Sequence, residues 1–147
     1  MTLVDTSVWI DFFRASPGRA GFELRRMMEE SEPFALTGVI VTEILQGLKR
    51  DASRIEKFLS QWELLEPSGF STYRDAAEIA RRASSEGISL KTVDILIASV
   101  AIENRASLFS MDNDFREIAQ VAPLRLYTPP DPTVQRIPRE NASVIAR

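Results

Sequence analysis

The chain has 147 residues, of which 44% are hydrophobic and 27% are charged, a balance typical of a folded globular domain. It contains no cysteine and no histidine, which excludes disulfide frameworks, zinc fingers, thiol nucleophiles and serine–histidine catalysis. The formal net charge of −3 does not suggest a nucleic-acid partner, and enzymatic chemistry would have to come from carboxylates, hydroxyls, lysine or arginine, of which carboxylates bind Mg²⁺ and Mn²⁺.

Short apolar runs alternate with helical patterns along most of the chain. The runs predict strands at residues 2–5, 33–37, 63–66, 106–110 and 124–127. Apolar residues at helical spacing predict helices at about residues 8–13, 22–28, 40–48, 55–62, 72–86, 92–104 and 114–119. This alternation indicates an α/β fold with a central parallel sheet of four to five short strands, covered by helices on both faces.

Polar residues and glycine indicate where several of these helices begin and end. Thr6 and Ser7 are the predicted cap of the first helix, Ser71 caps the helix at 72–86, and Thr92 caps the helix at 92–104. Gly87 is expected to end the helix at 72–86. The third helix is expected to run on to the basic pair at residues 49–50, as a helix C-terminus prefers.

The composition changes after Thr128, because four of the eight prolines fall within ten residues: Pro129, Pro130, Pro132 and Pro138. We therefore expect one domain at residues 1–128 and a proline-rich C-terminal extension at residues 129–147. The extension is interpreted as a solvated tail, with docking along a partner chain as the alternative.

Membrane association is not expected from the sequence. The longest near-continuous apolar run, residues 95–102, is far shorter than the ~20 residues that span a bilayer. Asp5 and Asp11 interrupt the region where a signal peptide has its apolar core. We expect a cytoplasmic protein with no membrane partner.

Five acidic residues fall where predicted strands end or where the following helices begin. Asp5 closes the first strand, Asp112 and Asp114 follow the fourth, and Glu43 and Asp94 lie in the opening turns of helices. Ligands of open parallel sheets bind outside the carboxyl ends of the strands, so the five acids are predicted to converge on one edge. Taken singly, Asp94 could instead complement the helix dipole or assist the cap, and Glu43 could be an ordinary residue of a first helical turn. Asp5 could form an Asx turn, and Asp112 and Asp114 could form a turn with an N-cap.

Asp94 carries the most information, because it begins a helix that is apolar on nearly every face. A buried carboxylate needs a cation, a salt bridge or a helix dipole. Two carboxylates ~4 Å apart repel by about 4 kcal/mol at an effective dielectric constant of 20, so a cluster of them favours a bound divalent ion. Such an ion can activate water against a phosphodiester. Without the five acids, eighteen basic residues face sixteen acidic ones, which is compatible with a phosphate-bearing substrate.

Four segments, at residues 4–11, 42–48, 93–98 and 110–115, resemble PIN-domain ribonucleases in order and spacing. The similarity extends over about residues 2–127, and the opening Val-Asp-Thr-Ser-Val-Trp-Ile-Asp resembles the VapC toxins of type II toxin–antitoxin pairs. The resemblance implies a three-layer α/β/α fold, a homodimer and a Mg²⁺- or Mn²⁺-dependent endoribonuclease that cuts tRNA or rRNA and inhibits translation. It also implies a VapB-type antitoxin that covers the acidic site and builds a larger hetero-oligomer.

The resemblance also implies the roles of individual acids. Asp5, Glu43, Asp94 and Asp112 match the family's catalytic acids, and Asp5 and Asp94 match its principal metal ligands. Asp114 is the alternative fourth acid, because the spacing there is loose.

Hydroxyl and basic residues complete the predicted site. The supporting hydroxyls are Thr6, Ser7 and Ser110, the last standing where the family usually has threonine. The basic residues near the predicted edge are candidate RNA contacts, with ordinary solvated charge as the alternative for each: Arg14, Arg19, Lys49, Arg50 and Lys91.

Two other functions stay open at this point. The first is a non-catalytic PIN-like module that binds RNA or protein, which would retain RNA binding without taking up metal. The second is an aspartate-based phosphoryl-transfer domain such as a receiver, which would accept phosphate on a strand-end aspartate. The complete set of acids argues against the binding module. A receiver should have a lysine after a late strand, whereas the residues after Ser110 are acidic and the last strand leads into prolines.

Overall fold

The computed structural model describes residues 1–131. Over this range the chain forms five strands and seven helices. In chain order they are β1 Thr2–Val4, α1 Thr6–Phe13, α2 Arg19–Glu29, β2 Phe34–Thr37, α3 Gly38–Gln46, α4 Ala52–Leu59, β3 Glu63–Leu65, α5 Phe70–Ser85, α6 Thr92–Glu103, β4 Ser107–Phe109, α7 Asp114–Val121 and β5 Arg125–Leu126. Every strand and helix predicted from the sequence is present.

The five strands form one parallel sheet in the order β3-β2-β1-β4-β5. The chain starts at the centre, moves outward through β2 to β3, and then crosses to the other side of β1 to form β4 and β5. The strand order therefore reverses between β1 and β4, which is the point where open α/β sheets bind ligands. Flavodoxin-like receivers have the order 2-1-3-4-5, so the topology speaks against the phosphoryl-transfer alternative.

Helices cover both faces of the sheet and confirm the predicted α/β/α layers. α1 packs against α2 and α3, and α3 against α4, whereas α5, α6 and α7 pack against one another. The two groups of helices lie on opposite faces because crossovers between parallel strands are right-handed. The chain moves from β1 to β3 in one direction across the sheet and from β3 to β5 in the other. α6 is buried over much of its length, as its apolar sequence predicts.

A buried tryptophan fixes the start of α1 against the end of β1. Trp9 is fully buried, and its Nε1 donates to the backbone oxygen of Val4 at 3.2 Å. The rings of Phe12, Phe13 and Phe34 have their centroids 6.0 Å from that of Trp9. Because Asp5 lies between these anchored segments, the aromatic cluster holds the position of its backbone.

α1 and α2 meet at a close contact that requires glycine. The buried Asp11 carboxylate accepts hydrogen bonds from the backbone N–H of Gly18 at 3.0 Å and of Gly21 at 2.7 Å. A Cβ at Gly21 would lie 2.9 Å from the backbone of Phe12. Asp11 thus caps α2, and the missing side chain at residue 21 allows the two helices to approach.

Three predicted helix starts differ from the observed ones. Asp5, rather than Thr6 or Ser7, is the N-cap of α1, and its carboxylate accepts the backbone N–H of Ser7 at 3.4 Å. Ser71 lies inside α5, and Thr92 is the first residue of α6 rather than its cap. The hydroxyls of Thr6 and Ser7 bond to acids of the site instead.

α3 also ends earlier than predicted. Its last residue is Gln46 and its C-cap is Gly47, so the basic pair Lys49 and Arg50 lies beyond the helix. The helix at residues 72–86 ends near Gly87 as predicted, where φ is +76°. Left-handed backbone of this kind favours glycine.

The predicted C-terminal extension lies mostly outside the described residues, since residues 132–147 are not among them. Of the described part, the backbone oxygen of Pro130 accepts a hydrogen bond from Arg19 Nη2 at 3.3 Å. The domain boundary at residue 128 and the extension beyond it therefore stay predictions.

Candidate active site

The carboxylate of Asp5 lies at the reversal of strand order and links the ends of β1 and β4. The backbone N–H of Asp5 donates to the backbone oxygen of Phe109 at 2.8 Å. The hydroxyls of Ser7 and Ser110 each donate to its Oδ2 at 2.8 Å. The residue is only 5% exposed. These two hydroxyls and the backbone N–H of Ser7, which donates to the same oxygen at 3.4 Å, fix the rotamer of Asp5 and the direction in which its carboxylate points.

The same two hydroxyls hold the loop after β4. The Ser7 oxygen accepts the backbone N–H of Met111 at 3.0 Å, and the Ser110 oxygen accepts that of Asp112 at 3.0 Å. Asp112 Oδ1 in turn accepts the N–H of Asp114 at 3.0 Å. Through these two hydroxyls, the carboxylate of Asp5 fixes the path of the loop and the positions of Asp112 and Asp114.

Three carboxylates form a compact group at this edge. One oxygen of each of Asp94, Asp112 and Asp114 lies within 4.8 Å of the other two. The Oδ2 atom of Asp94 is buried and has no hydrogen-bond partner among residues 1–131. Like charges this close, with one buried oxygen unsatisfied, fit a divalent cation that prefers carboxylate oxygens.

Electrostatics at Asp94 lead to the same conclusion. Burial first, and then the negative charges of Asp112, Asp5 and Asp114, together raise the pKa of Asp94 to about 6, against a smaller opposite effect of Lys91. The folded chain alone therefore disfavours a charge on Asp94. A bound cation would remove that penalty.

Glu43 approaches the site from α3. Its Oε1 accepts a hydrogen bond from Thr6 Oγ1 at 2.8 Å, which links α3 to the first residue of α1. Asp5 and Glu43 are outside the compact group of three described above, although Asp5 acts on it through its charge. The structure thus brings both candidates for the fourth acid, Asp112 and Asp114, beside Asp94.

Of the five predicted RNA contacts, Lys91 is the one with a direct contact to the acids. Its Nζ lies 3.8 Å from Asp114 Oδ2, and its side chain is 76% exposed. Arg14 lies at the other end of α1 from Asp5, ~13.5 Å along the helix axis, and pairs with Asp11 at 3.7 Å.

The other three predicted RNA contacts have no contact with the acids within the described chain. Arg19 begins α2 and binds Pro130, and Lys49 and Arg50 follow α3.

One basic residue near the acids was not predicted. Arg116, in the first turn of α7, lines a cavity together with Ser110 and Asp112. The sequence contains no signal for Arg116, because the cavity is formed by β4, β5 and α7 together.

No helix in the part of the chain that the structure describes is both long enough and apolar enough to cross a membrane.

Comparison with known proteins agrees with this geometry. Residues 2–121 match the PIN domain family. Ribonuclease VapC11 of Mycobacterium tuberculosis is 34% identical over 129 residues, covering 85% of this chain and 96% of that protein. A toxin–antitoxin complex from Klebsiella pneumoniae contains a similar fold, with TM-score 0.59 and 27% identity, covering 86% of this chain and 100% of the other.

VapBC2 from Rickettsia felis, solved with a DNA fragment of its promoter, has TM-score 0.68 and 18% identity, covering 86% and 96% of the two chains. At that identity the likeness concerns the fold alone. The family resemblance noted in the sequence is confirmed by the domain match over residues 2–121 and by the identity to a curated VapC ribonuclease. The chain therefore belongs to the PIN-domain family and is a relative of its VapC ribonucleases.

Proposed function

We propose that this protein is a Mg²⁺- or Mn²⁺-dependent endoribonuclease and the toxin of a toxin–antitoxin pair. The observation that carries the proposal is the buried, unpartnered oxygen of Asp94 held against the carboxylates of Asp112 and Asp114. Its place at the reversal of strand order is where an α/β sheet binds its ligand. Membership of the PIN-domain family and identity to VapC11 support ribonuclease chemistry.

The proposed metal ligands are Asp5 and Asp94, supported by Glu43, Asp112 and Asp114. When bound, a divalent cation would offset the negative charge of the carboxylates and of the phosphate and make water a stronger nucleophile. Asp5 and Asp94 are assigned because they match the principal metal ligands of the PIN family. Burial and the neighbouring acids, which together raise the pKa of Asp94 to about 6, support a cation at this place.

The chain's own residues position the carboxylates of the site and the RNA. Ser7 and Ser110 hold the carboxylate of Asp5 in one orientation, and Thr6 holds that of Glu43. Lys91, which is largely exposed beside Asp114, is placed to contact a phosphate oxygen of the RNA. Preorganised groups of this kind lower the barrier because they need little rearrangement during the reaction.

A VapB-type antitoxin is the proposed partner, within a larger assembly built on a toxin homodimer. The Klebsiella relative, which is 27% identical, is a toxin–antitoxin complex. An antitoxin segment that covers the exposed carboxylates of the site would keep RNA out. The proposed substrates are tRNA or rRNA in the cytoplasm, and their cleavage would inhibit translation.

The proposal is tested with the purified chain, free of any partner, and total cellular RNA. Parallel reactions contain Mg²⁺, Mn²⁺ or excess chelator, and include Asp94→Asn with Asp75→Asn as matched control. Asp75 is an exposed aspartate on α5 paired with Arg74, so its substitution makes the same chemical change away from the acids. We expect discrete fragments that require metal, persist in Asp75→Asn and vanish in Asp94→Asn.

Two outcomes would contradict the proposal. Cleavage by Asp94→Asn at the rate of the unmodified chain would refute the assigned site. RNA binding without cleavage in either metal, together with no metal uptake by calorimetry, would instead support the non-catalytic binding module.

A further inference from the structure

We propose that Arg116 and the cavity it lines form a subsite for the nucleotide next to the phosphate that is cut. The cavity has a volume of about 120 Å³ and lies between β4, β5 and α7. Its walls include Ser110, Asp112, Phe115, Arg116 and Leu126. This inference rests on the proposed function and adds a contact to the substrate that the family motifs do not contain.

The cavity shares two walls with the acidic site. Ser110 donates to Asp5 Oδ2 and accepts the backbone N–H of Asp112. Ser110 and Asp112 also line the cavity. Asp112 belongs to the compact carboxylate group. A group bound in the cavity is therefore a direct neighbour of a phosphate held by the acids, which is the relation between adjacent units of one RNA strand.

Arg116 supplies the charge that this cavity would need for RNA. It is exposed, and within residues 1–131 its guanidinium has no ion pair or hydrogen bond, although Asp114 lies in the same turn of α7 and Asp112 just before the helix. A cation in the first turn of a helix opposes the helix dipole, so its position does not serve the stability of α7. The planar guanidinium can give two parallel hydrogen bonds to a phosphate.

The remaining walls suit a base or a ribose rather than a free anion. Leu108 and Phe115 are buried beneath the cavity, and Leu126 is 37% exposed. Tyr127 forms a fixed wall, because its hydroxyl donates to Glu23 and its ring centroid lies 5.0 Å from that of Phe109. Leu126 therefore offers apolar surface within a mostly polar lining, and an apolar side chain beside an exposed cation is a combination that single-stranded RNA-binding sites use.

The test measures RNA binding and cleavage separately. Binding of a fluorescein-labelled, mixed-sequence, single-stranded RNA is followed by anisotropy in the Asp94→Asn background, where the RNA stays intact. Arg116→Ala and Arg116→Lys are compared with Arg54→Ala, which removes an exposed arginine from α4 on the other face of the sheet. Cleavage of total RNA by the single variants gives the maximal rate and the RNA concentration at half that rate.

We expect Arg116→Ala to weaken RNA binding about tenfold and to lower the slope of log affinity against log salt by about 0.7, as for one phosphate contact to a single strand. The RNA concentration at half-maximal cleavage should rise about tenfold, while the maximal rate changes less than threefold. Arg116→Lys should recover part of the affinity, and Arg54→Ala should behave as the unmodified chain. Affinity for Mg²⁺ alone, measured by calorimetry, should not change in Arg116→Ala.

Two results would overturn this inference while the proposed function stands. The first is that Arg116→Ala matches Arg54→Ala in both assays, so that Arg116 has no role in RNA binding. The second is that Arg116→Ala loses affinity for Mg²⁺, which would mean that Arg116 acts through Asp112. No cleavage by the unmodified chain would overturn the proposed function itself, and this inference with it.

Discussion

Replacing Asp94 by asparagine should stabilise the protein when metal is absent. The pKa of Asp94 is raised from 3.8 to about 6 by burial and by neighbouring acids. The folded chain therefore binds a proton at this carboxyl more tightly than the unfolded chain does. Since the group stays protonated in the fold up to about pH 6, the free energy of unfolding should fall as the pH rises from about 4 to about 6. Asparagine cannot ionise, so the free energy of unfolding of the variant should not include this decrease between about pH 4 and about pH 6.

The size of the effect follows from the shift. A difference of about two pH units corresponds to about 3 kcal/mol if all of it were expressed in stability. Asp94 is partly exposed, however, and solvent screening reduces the repulsion. We therefore expect Asp94→Asn to be more stable than the unmodified chain by roughly 1 kcal/mol at pH 7.5, or roughly 3 °C in melting temperature.

Urea denaturation in excess chelator at pH 4.0, 5.0, 6.0 and 7.5 measures this difference. The gap between the two proteins should be smallest at pH 4.0 and should open through pH 6.0. Asp75→Asn, at an exposed position, should show no such trend. A variant that is less stable than the unmodified chain at pH 7.5, or a gap that does not depend on pH, would refute the reasoning.

Three further predictions concern metal, hydroxyl and packing. Mg²⁺ at about 100 times its dissociation constant should raise the free energy of unfolding of the unmodified chain by about 2.7 kcal/mol. The same Mg²⁺ concentration should raise the free energy of unfolding of Asp94→Asn much less. Thermal melts of the two proteins measure this difference. Ser110→Ala should slow RNA cleavage by about tenfold because Asp5 loses one of its two hydroxyl donors, and Ser110→Thr should retain most of the rate; equal rates for alanine and threonine would contradict this. Gly21→Ala should destabilise the fold by about 1–3 kcal/mol in urea denaturation, because the added Cβ would meet the backbone of Phe12 at 2.9 Å; an unchanged midpoint would contradict the packing argument.

The order of elements and the edge that carries the acids were predictable from the sequence. Alternating apolar runs and helical spacing indicated a parallel sheet, and the acids at strand ends indicated its carboxyl edge. Asp94 was the clearest case, because a lone carboxylate at the start of an apolar helix is costly without a partner. The observed unpartnered oxygen agrees with that physical argument.

The details of the site depend on contacts between distant parts of the chain and could not be predicted. The capping role of Asp5 is one example, because Thr6 and Ser7 are equally good caps in isolation, but their hydroxyls bond to Glu43 and Asp5 in the fold. Another is Arg116, whose importance depends on a cavity formed by two strands and a helix. Periodicity contains no information of this kind.

The central claim is that carboxylates around Asp94 make this protein a metal-dependent ribonuclease. The most direct measurement is the initial rate of total-RNA cleavage by the purified chain against Mg²⁺ concentration, beside Asp94→Asn and Asp75→Asn. We expect a rate that saturates with Mg²⁺, is abolished by chelator, is kept by Asp75→Asn and is at least a hundredfold lower in Asp94→Asn. A rate that is independent of Mg²⁺, or equal in the two variants, would contradict it.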